Sequence, residues 1–156
     1  MSETKNETLK GTARLSQHTA ILLEHARSQG ITDSVILAAA HSGDAGALAS
    51  AEEEHYRYDD FLSYAAEHGE SLERAVQYGY RITFNTRNGL KIWLEQTFGL
   101  RSGQDFEVGE GIVTGLSLDE NGVKLLESRL APNWRIAEKR FREKGCELTL
   151  KLTALA

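Results

Sequence analysis

The residues best able to do chemistry in the first half of the chain form a Glu-x-x-His motif, Glu52 to His55. In a helix this spacing places both side chains on one face, and di-iron bundles use two such motifs plus a Glu from each of two further helices. The chain contains one such motif. His18 and His25 are seven residues apart, about 10 Å along a helix axis, too far to share one ion directly. The sequence therefore predicts no metal site and no cofactor.

The sequence also shows no motif typical of nucleophilic catalysis or of phosphate-binding loops. The single cysteine, Cys146, lies in an alternating pattern and has no histidine within forty residues, which indicates a buried apolar role. There is no Gly-x-Ser-x-Gly sequence, and Gly109-Glu110-Gly111 leads into a strand pattern, which is typical of a hairpin turn. We identify no catalytic residue, and the sequence leans away from an enzyme.

Composition is that of an ordinary water-soluble domain, with 26% charged and 40% hydrophobic residues among 156. No apolar run approaches the roughly 20 residues of a membrane helix, and no apolar segment follows the N-terminus as in a secretory signal. One cysteine rules out an intramolecular disulfide and fits a reducing compartment. We expect a cytoplasmic protein that does not enter a membrane.

Charge differs between the two halves of the chain. Residues 1–70 carry 5 Lys and Arg against 12 Asp and Glu, whereas residues 71–156 carry 13 against 11. An acidic first half disfavours nucleic acid and suits a partner protein with a basic face.

Residues 1–70 are predicted to form an acidic helical segment, with helices over about 7–29, 35–40 and 44–68. The third helix would bury an apolar face with regular three- and four-residue spacing and expose its carboxylates. We expect these carboxylates to contact the partner protein: Glu52, Glu53, Glu54, Asp59 and Asp60.

A short phrase occurs twice in residues 71–156: Asn88-Gly89-Leu90-Lys91-Ile92 and Asn121-Gly122-Val123-Lys124-Leu125. Each copy follows alternating apolar residues and opens a run with helical spacing, which indicates a strand–turn–helix unit used twice. The predicted elements are listed in chain order: strand 76–84, helix 86–98, hairpin 106–118, helix 120–141 interrupted at Pro132, and strand 146–152.

The order strand, helix, strand, strand, helix, strand is that of a ferredoxin-like, or split βαβ, domain. The sequence thus predicts an α+β protein in which a helical segment packs against an α/β sandwich domain over residues 71–156. Open sheet edges and aromatic residues also make a homodimer plausible.

An alternative is a winged helix-turn-helix. Residues 71–79 would then form a helix, 86–98 the recognition helix and 105–118 the wing. DNA contact would come from Arg87, Lys91 and Arg101, a small set of cations without a wider basic stripe. Nucleic acid is therefore an unfavoured partner.

Three functions from different classes follow. The leading hypothesis is a small non-catalytic regulatory or adaptor protein that acts through protein–protein contact. The second is a DNA-binding regulator of the winged-helix type. The third is a small-molecule sensor or enzyme, with His55, Tyr58 and Arg81 as polar groups of a pocket.

Overall fold

The computed structural model describes residues 12–53, 56–143 and 145–153. The chain is a mixed α+β protein that divides between Arg81 and Ile82 into two compact units, here called the first and second unit.

The first unit is mainly helical and contains one small two-stranded sheet. Strand β1 pairs with β2, and the Ala13 N–H donates to the Gly79 carbonyl at 3.0 Å. Its elements are β1 (Ala13–Leu15), α1 (Gln17–Ser28), α2 (Asp33–Ser42), a 3₁₀ helix (Ala45–Ala51), α3 (Phe61–Glu67), α4 (Leu72–Tyr78) and β2 (Tyr80–Ile82), whose last residue begins the second unit.

Hydroxyl caps start three helices of the first unit. The side chains of Ser16, Thr32 and Ser71 each accept a hydrogen bond from the backbone N–H three residues later. Such caps satisfy donors that have no partner within the helix. Gly43, at φ 77°, ends α2 in the left-handed conformation that glycine adopts without steric cost.

The prediction of one helix over residues 44–68 is wrong. Asp44 does cap a helix, but this is the 3₁₀ helix, which ends before Glu52. The backbones of Glu53 and Tyr56 then exchange two hydrogen bonds, and α3 begins only at Phe61. Glu53 and Tyr58 both contact His25 of α1, as described below.

The predicted strand over 76–84 is also wrong for its first half. Ser71 caps α4 and Gly79 ends it at φ 95°, so Val76 and Tyr78 are helical. Only Tyr80–Ile82 is extended, and it pairs with β1. Apolar residues do alternate over residues 76–84. The cap at Ser71 and the glycine at Gly79 nevertheless favour a helix over Leu72–Tyr78.

The second unit contains a four-stranded antiparallel sheet with strand order β3-β4-β6-β5. Its elements are α5 (Arg87–Phe98), β3 (Glu107–Gly109), β4 (Ile112–Leu118), α6 (Glu120–Arg129), β5 (Trp134–Arg142) and β6 (Gly145–Leu152). β5 is a nine-residue strand at the edge of this sheet.

Several predicted elements of the second unit are confirmed. Thr86 and Asp119 cap α5 and α6, the β3–β4 hairpin forms, and the last strand lies where expected. The hairpin register differs by one residue, because Gly109 rather than Val108 faces Ile112. Its turn therefore has two residues instead of three.

The predicted helix over 120–141 stops at Arg129, and the residues after Pro132 form β5. Trp134 and Ile136 face the same side of this strand, where they oppose the core-facing residues Leu152 and Leu150 of β6. Because β5 is a strand and β2 pairs with β1, the split βαβ arrangement is not confirmed.

Two asparagines join the segment before α5 to the start of β5. The Asn133 side chain accepts from the Asn85 N–H at 3.0 Å and donates to the Asn85 carbonyl at 2.8 Å. The Trp134 indole N–H donates to the same carbonyl at 3.0 Å, and Asn85 Oδ1 accepts from the Ala131 N–H at 3.3 Å. Asn85 is buried, so these bonds satisfy groups that cannot reach water.

Within the described ranges, no helix has the length and apolar character needed to cross a lipid bilayer.

Candidate functional site

The first unit holds a buried chain of polar side chains centred on His25 of α1. His25 Nδ1 lies 2.8 Å from the Tyr58 hydroxyl, and His25 Nε2 lies 2.9 Å from Glu53 Oε1. The Tyr56 ring stacks on the imidazole with centroids 3.9 Å apart. His25 and Tyr58 are buried, whereas the Glu53 side chain is 52% exposed. The chain of polar groups therefore runs from the surface to the interior of this unit.

The direction of each hydrogen bond follows from the acceptor at the inner end. The Tyr58 hydroxyl donates to the Leu22 carbonyl at 2.7 Å, so its oxygen accepts from His25 Nδ1. A carboxylate can only accept, so His25 Nε2 donates to Glu53. Both nitrogens of the buried imidazole thus have a hydrogen-bonding partner.

Burial of Tyr58 raises the pKa of its phenol well above the ordinary value of 10.0, and the Glu53 and Glu52 carboxylates, together with the Tyr56 phenol once it ionises, raise that pKa further. The phenol is thus held in its neutral form, which the hydrogen bond to Leu22 requires. A neutral phenol at the closed end of this hydrogen-bonded chain fixes Tyr58 to α1.

A second group of polar side chains is centred on Glu24, the residue before His25 in α1. The Tyr80 hydroxyl donates to Glu24 Oε2 at 2.6 Å, and Arg27 donates to Glu24 at 3.1 Å and to Asp33 at 3.0 Å. Burial lowers the pKa of Arg27, but the two carboxylates raise it more, and the net shift is upward. The buried Glu24 charge is thereby paired, as buried charges need to be.

The five carboxylates predicted to bind a partner do not share one helix face. Glu53 contacts His25, and Glu52 and Asp59 lie 3.3 and 3.6 Å from the guanidinium of Arg57. Asp60 precedes α3 without making a side-chain cap, and Glu54 lies outside the described residues. Three of these carboxylates thus already contact a histidine or arginine side chain within the first unit.

Of the three predicted pocket residues, the structure describes Tyr58 and Arg81. Tyr58 is fully buried against α1, and Arg81 is exposed on β2. His55 lies outside the described residues. The histidine that bonds to Tyr58 is His25, which the sequence did not pair with it.

The predicted DNA-contacting residues lie at α5 and just after it. Arg87 and Lys91 are one turn apart, with Arg87 exposed and Lys91 half-buried. Arg101 is exposed, and its backbone N–H donates to Asp105 at 2.8 Å.

The second unit carries an open groove of about 370 Å³ between α6 and the β5–β6 hairpin, here called the Phe141 groove. Val123 and Cys146 contribute nearly buried apolar surface to it, and Phe141 is 82% exposed. Ion pairs flank these residues. The complete lining is Glu120, Val123, Lys124, Glu127, Lys139, Phe141, Gly145 and Cys146.

Strand pairing explains why Phe141 remains exposed. Phe141 lies opposite Cys146 and Lys139 opposite Leu148, so both side chains point to the side of the sheet on which α6 packs. Lys139 bonds to Glu127 of α6 at 2.9 Å. Phe141 stands further along the edge strand. A large exposed aromatic ring beside an apolar groove is typical of a contact surface.

Sequence reasoning missed this groove because Phe141 lay in the predicted helix over 120–141 and not in an edge strand. The available signal was Pro132, which ends α6 early, followed by a stretch rich in charged residues that suits an edge strand.

No group of three or more His, Cys, Asp or Glu side chains in the described ranges converges as a metal site would require. The thiol of Cys146 is free and buried.

The fold and these surfaces define a mixed α+β protein of two compact units, one with a buried Glu–His–Tyr chain and one with an open apolar groove. No protein-family model matches the chain, and the comparisons found no similar curated protein and no similar solved structure.

Proposed function

We propose that this chain is a non-catalytic interaction module that acts through protein–protein contact at the exposed end of β5. The observation that carries the proposal is the 82% exposure of Phe141 beside the Phe141 groove. The buried polar chain of the first unit supports it, since its inner end closes on a helix carbonyl rather than a substrate cavity.

The edge strand favours another strand as the partner. β5 pairs with β6 on one side only, and its backbone donors and acceptors on the other side suit strand addition. Residues 138–142 are all exposed. The acidic segment 52–60 is a weaker candidate because its carboxylates already contact Arg57 and His25.

The partner we propose is a second copy of this chain, paired antiparallel about a two-fold axis at Arg140. In this register residues 138–142 of one copy pair with residues 138–142 of the other copy, because Arg140 is the central residue of this exposed stretch. Glu138 then faces the second copy's Arg142, an attractive pair, and Lys139 faces the second copy's Phe141. The two Arg140 side chains repel each other. Glu147, which lies opposite Arg140 within each copy, bonds to Arg142 at 2.9 Å and places one negative charge beside these cations.

Phe141→Ser is expected to weaken self-association at least about 100-fold. Burying one phenylalanine side chain contributes about 1.5–3 kcal/mol, and the dimer buries two. Sedimentation velocity over a range of protein concentrations measures the effect. The matched control is Phe84→Ser, which removes another exposed aromatic ring, 58% exposed, from the same unit. A wild-type chain that stays monomeric at millimolar concentration would refute the proposal, as would equal effects of both variants.

Cross-linking tests the register separately. In a Cys146→Ser background, Arg140→Cys is expected to form a disulfide between copies, because directly opposed residues bring their Cα atoms about 5 Å apart. Arg142→Cys serves as the control, since its equivalents would lie four residues, or about 13 Å, apart. Preferred cross-linking of the control would show that the register is wrong.

A DNA-binding regulator is retained as a second candidate because the structure contains a helix at Leu72–Tyr78, a helix at Arg87–Phe98 and a hairpin at 107–118. The winged-helix alternative expected these three elements. Arg87→Ala with Lys91→Ala should weaken duplex binding and reduce its salt dependence. If the wild-type protein leaves pooled duplex DNA unshifted at low salt, this candidate is eliminated.

A further inference from the structure

The face of the four-stranded sheet opposite the core carries an unusual pair of cations. Arg135 of β5 lies directly opposite Lys151 of β6, and both are half-buried. Their neighbours in sequence, Trp134 and Leu150, face the core, so the two cations point to the other side of the sheet. Like charges directly opposite each other destabilise a sheet unless something offsets them.

Nothing in the described ranges offsets this pair. Neither cation forms an ion pair there, and Ile112 of β4 occupies the other side of Lys151. Arg135 Nε is buried without a hydrogen-bond partner within the same ranges. Glu138 lies on the same face, opposite Thr149; it is exposed and forms no ion pair with either cation in the described ranges.

We propose that Arg135 and Lys151 form a binding site for a small phosphate-type oxyanion, a site distinct from the Phe141 groove. A guanidinium binds such an anion through two parallel hydrogen bonds, and an ammonium adds a compact charge. The hydroxyl of Thr149 lies on the same face of β6, two residues before Lys151, and supplies a further donor. The anion would replace the repulsion between the two cations with two attractive contacts.

The ligand chemistry has two sources, a free phosphate ion and a phosphate monoester. Titrations with inorganic phosphate and with glycerol phosphate, each at constant ionic strength against chloride, distinguish them by affinity. Amide chemical shifts of residues 135, 149 and 151 locate the site. Specific shifts at these residues with either titrant support the proposal, and the tighter titrant identifies the source.

Arg135→Gln is expected to lower the affinity for the tighter titrant by about tenfold or more, because a hydrogen bond to a charged group is worth about 1.5–3 kcal/mol. Lys151→Gln should lower it severalfold, and Glu138→Gln should raise it by removing a nearby negative charge. Arg135→Lys keeps the charge but loses the two parallel hydrogen bonds. Its affinity for the titrant is expected to lie between the affinities of the wild type and of Arg135→Gln.

Lys124→Gln is the matched control, since Lys124 is an exposed cation on α6 that pairs with Glu120 at 3.5 Å. An equal loss of affinity in this variant would show non-specific attraction and overturn the proposal. Binding of duplex DNA without any binding of phosphate or glycerol phosphate would also overturn it. Circular dichroism of each variant separates loss of the site from loss of the fold.

Discussion

Replacing Gly145 with alanine is expected to destabilise the second unit by about 4 kcal/mol or more. Gly145 begins β6 at φ +126°, a conformation that residues with side chains rarely adopt. An added Cβ would collide with the Leu118 carbonyl oxygen and lie 3.1 Å from its carbon and 3.3 Å from the Asp119 Cα. These are backbone atoms, so no side-chain rotation can relieve the contact.

The position of the collision explains the size of the effect. Leu118 is the last residue of β4 and pairs with Cys146, and Asp119 caps α6. A shift of this backbone would therefore disturb the β4–β6 pairing and the start of α6 together. The Phe141 groove, which α6 and the β5–β6 hairpin form, would be lost with them.

Urea unfolding followed by tryptophan fluorescence measures this effect, because both tryptophans, Trp93 and Trp134, lie in the second unit. Gly115→Ala is the matched control in the same sheet. Gly115 also has a positive φ, +71°, but an added Cβ there meets no atom within 4 Å. The control should cost only the conformational strain, about 1–2 kcal/mol. Similar losses for the two variants would show that the collision with Leu118 contributes little.

Local sequence signals predicted those elements of the second unit whose ends are marked by strong caps and turns. Thr86 and Asp119 sit three residues before glycines whose N–H groups they accept, and Glu110-Gly111 turns the hairpin. The caps and the turn act over a few residues, so a single sequence shows them. The strand order could not be predicted, because it depends on which distant strands pair.

The stretch from Leu130 to Phe141 shows where such signals fail. The spacing of Leu130, Trp134 and Phe141 is compatible with one face of a helix. The spacing of Trp134 and Ile136 is compatible with one face of a strand. Pairing with β6 makes this stretch a strand, and a local sequence pattern does not show which distant strand it will pair with. The same choice determined whether Phe141 was buried or exposed, and hence whether the Phe141 groove was visible from sequence.

The buried polar chain could not be predicted as a unit, for a similar reason. Tyr58 and Glu53 are 33 and 28 residues from His25 in sequence. The sequence suggested His55 as a neighbour of Tyr58, because the predicted helix placed them on one face. In the structure Tyr58 bonds to α1 instead, and that helix supplies the histidine.

Tyr58→Phe is expected to destabilise the first unit by about 2–4 kcal/mol at neutral pH. The change removes the hydroxyl that donates to Leu22 and accepts from His25, while the ring and its edge contact with Phe61 remain. His25 Nδ1 would then be buried without its hydrogen-bond partner, and unsatisfied buried groups cost about 1–3 kcal/mol each. Hydrogen exchange of α1 amides measures the loss, because the first unit contains no tryptophan.

The pH dependence of stability provides a second test that is specific to the phenol. Tyr58 has a pKa raised above its ordinary value of 10.0, chiefly by burial, so the folded state holds this proton more tightly than the unfolded state does. Its contribution is fully present below pH 10 and is lost as the pH rises above that value. The wild-type unit should therefore lose stability above pH 10, and Tyr58→Phe should lose less over the same range. Tyr78→Phe, which alters a tyrosine that is 64% exposed, should match the wild type at both neutral and alkaline pH. If Tyr58→Phe and the wild type lose stability equally above pH 10, the phenol does not fix Tyr58 to α1 in the manner described.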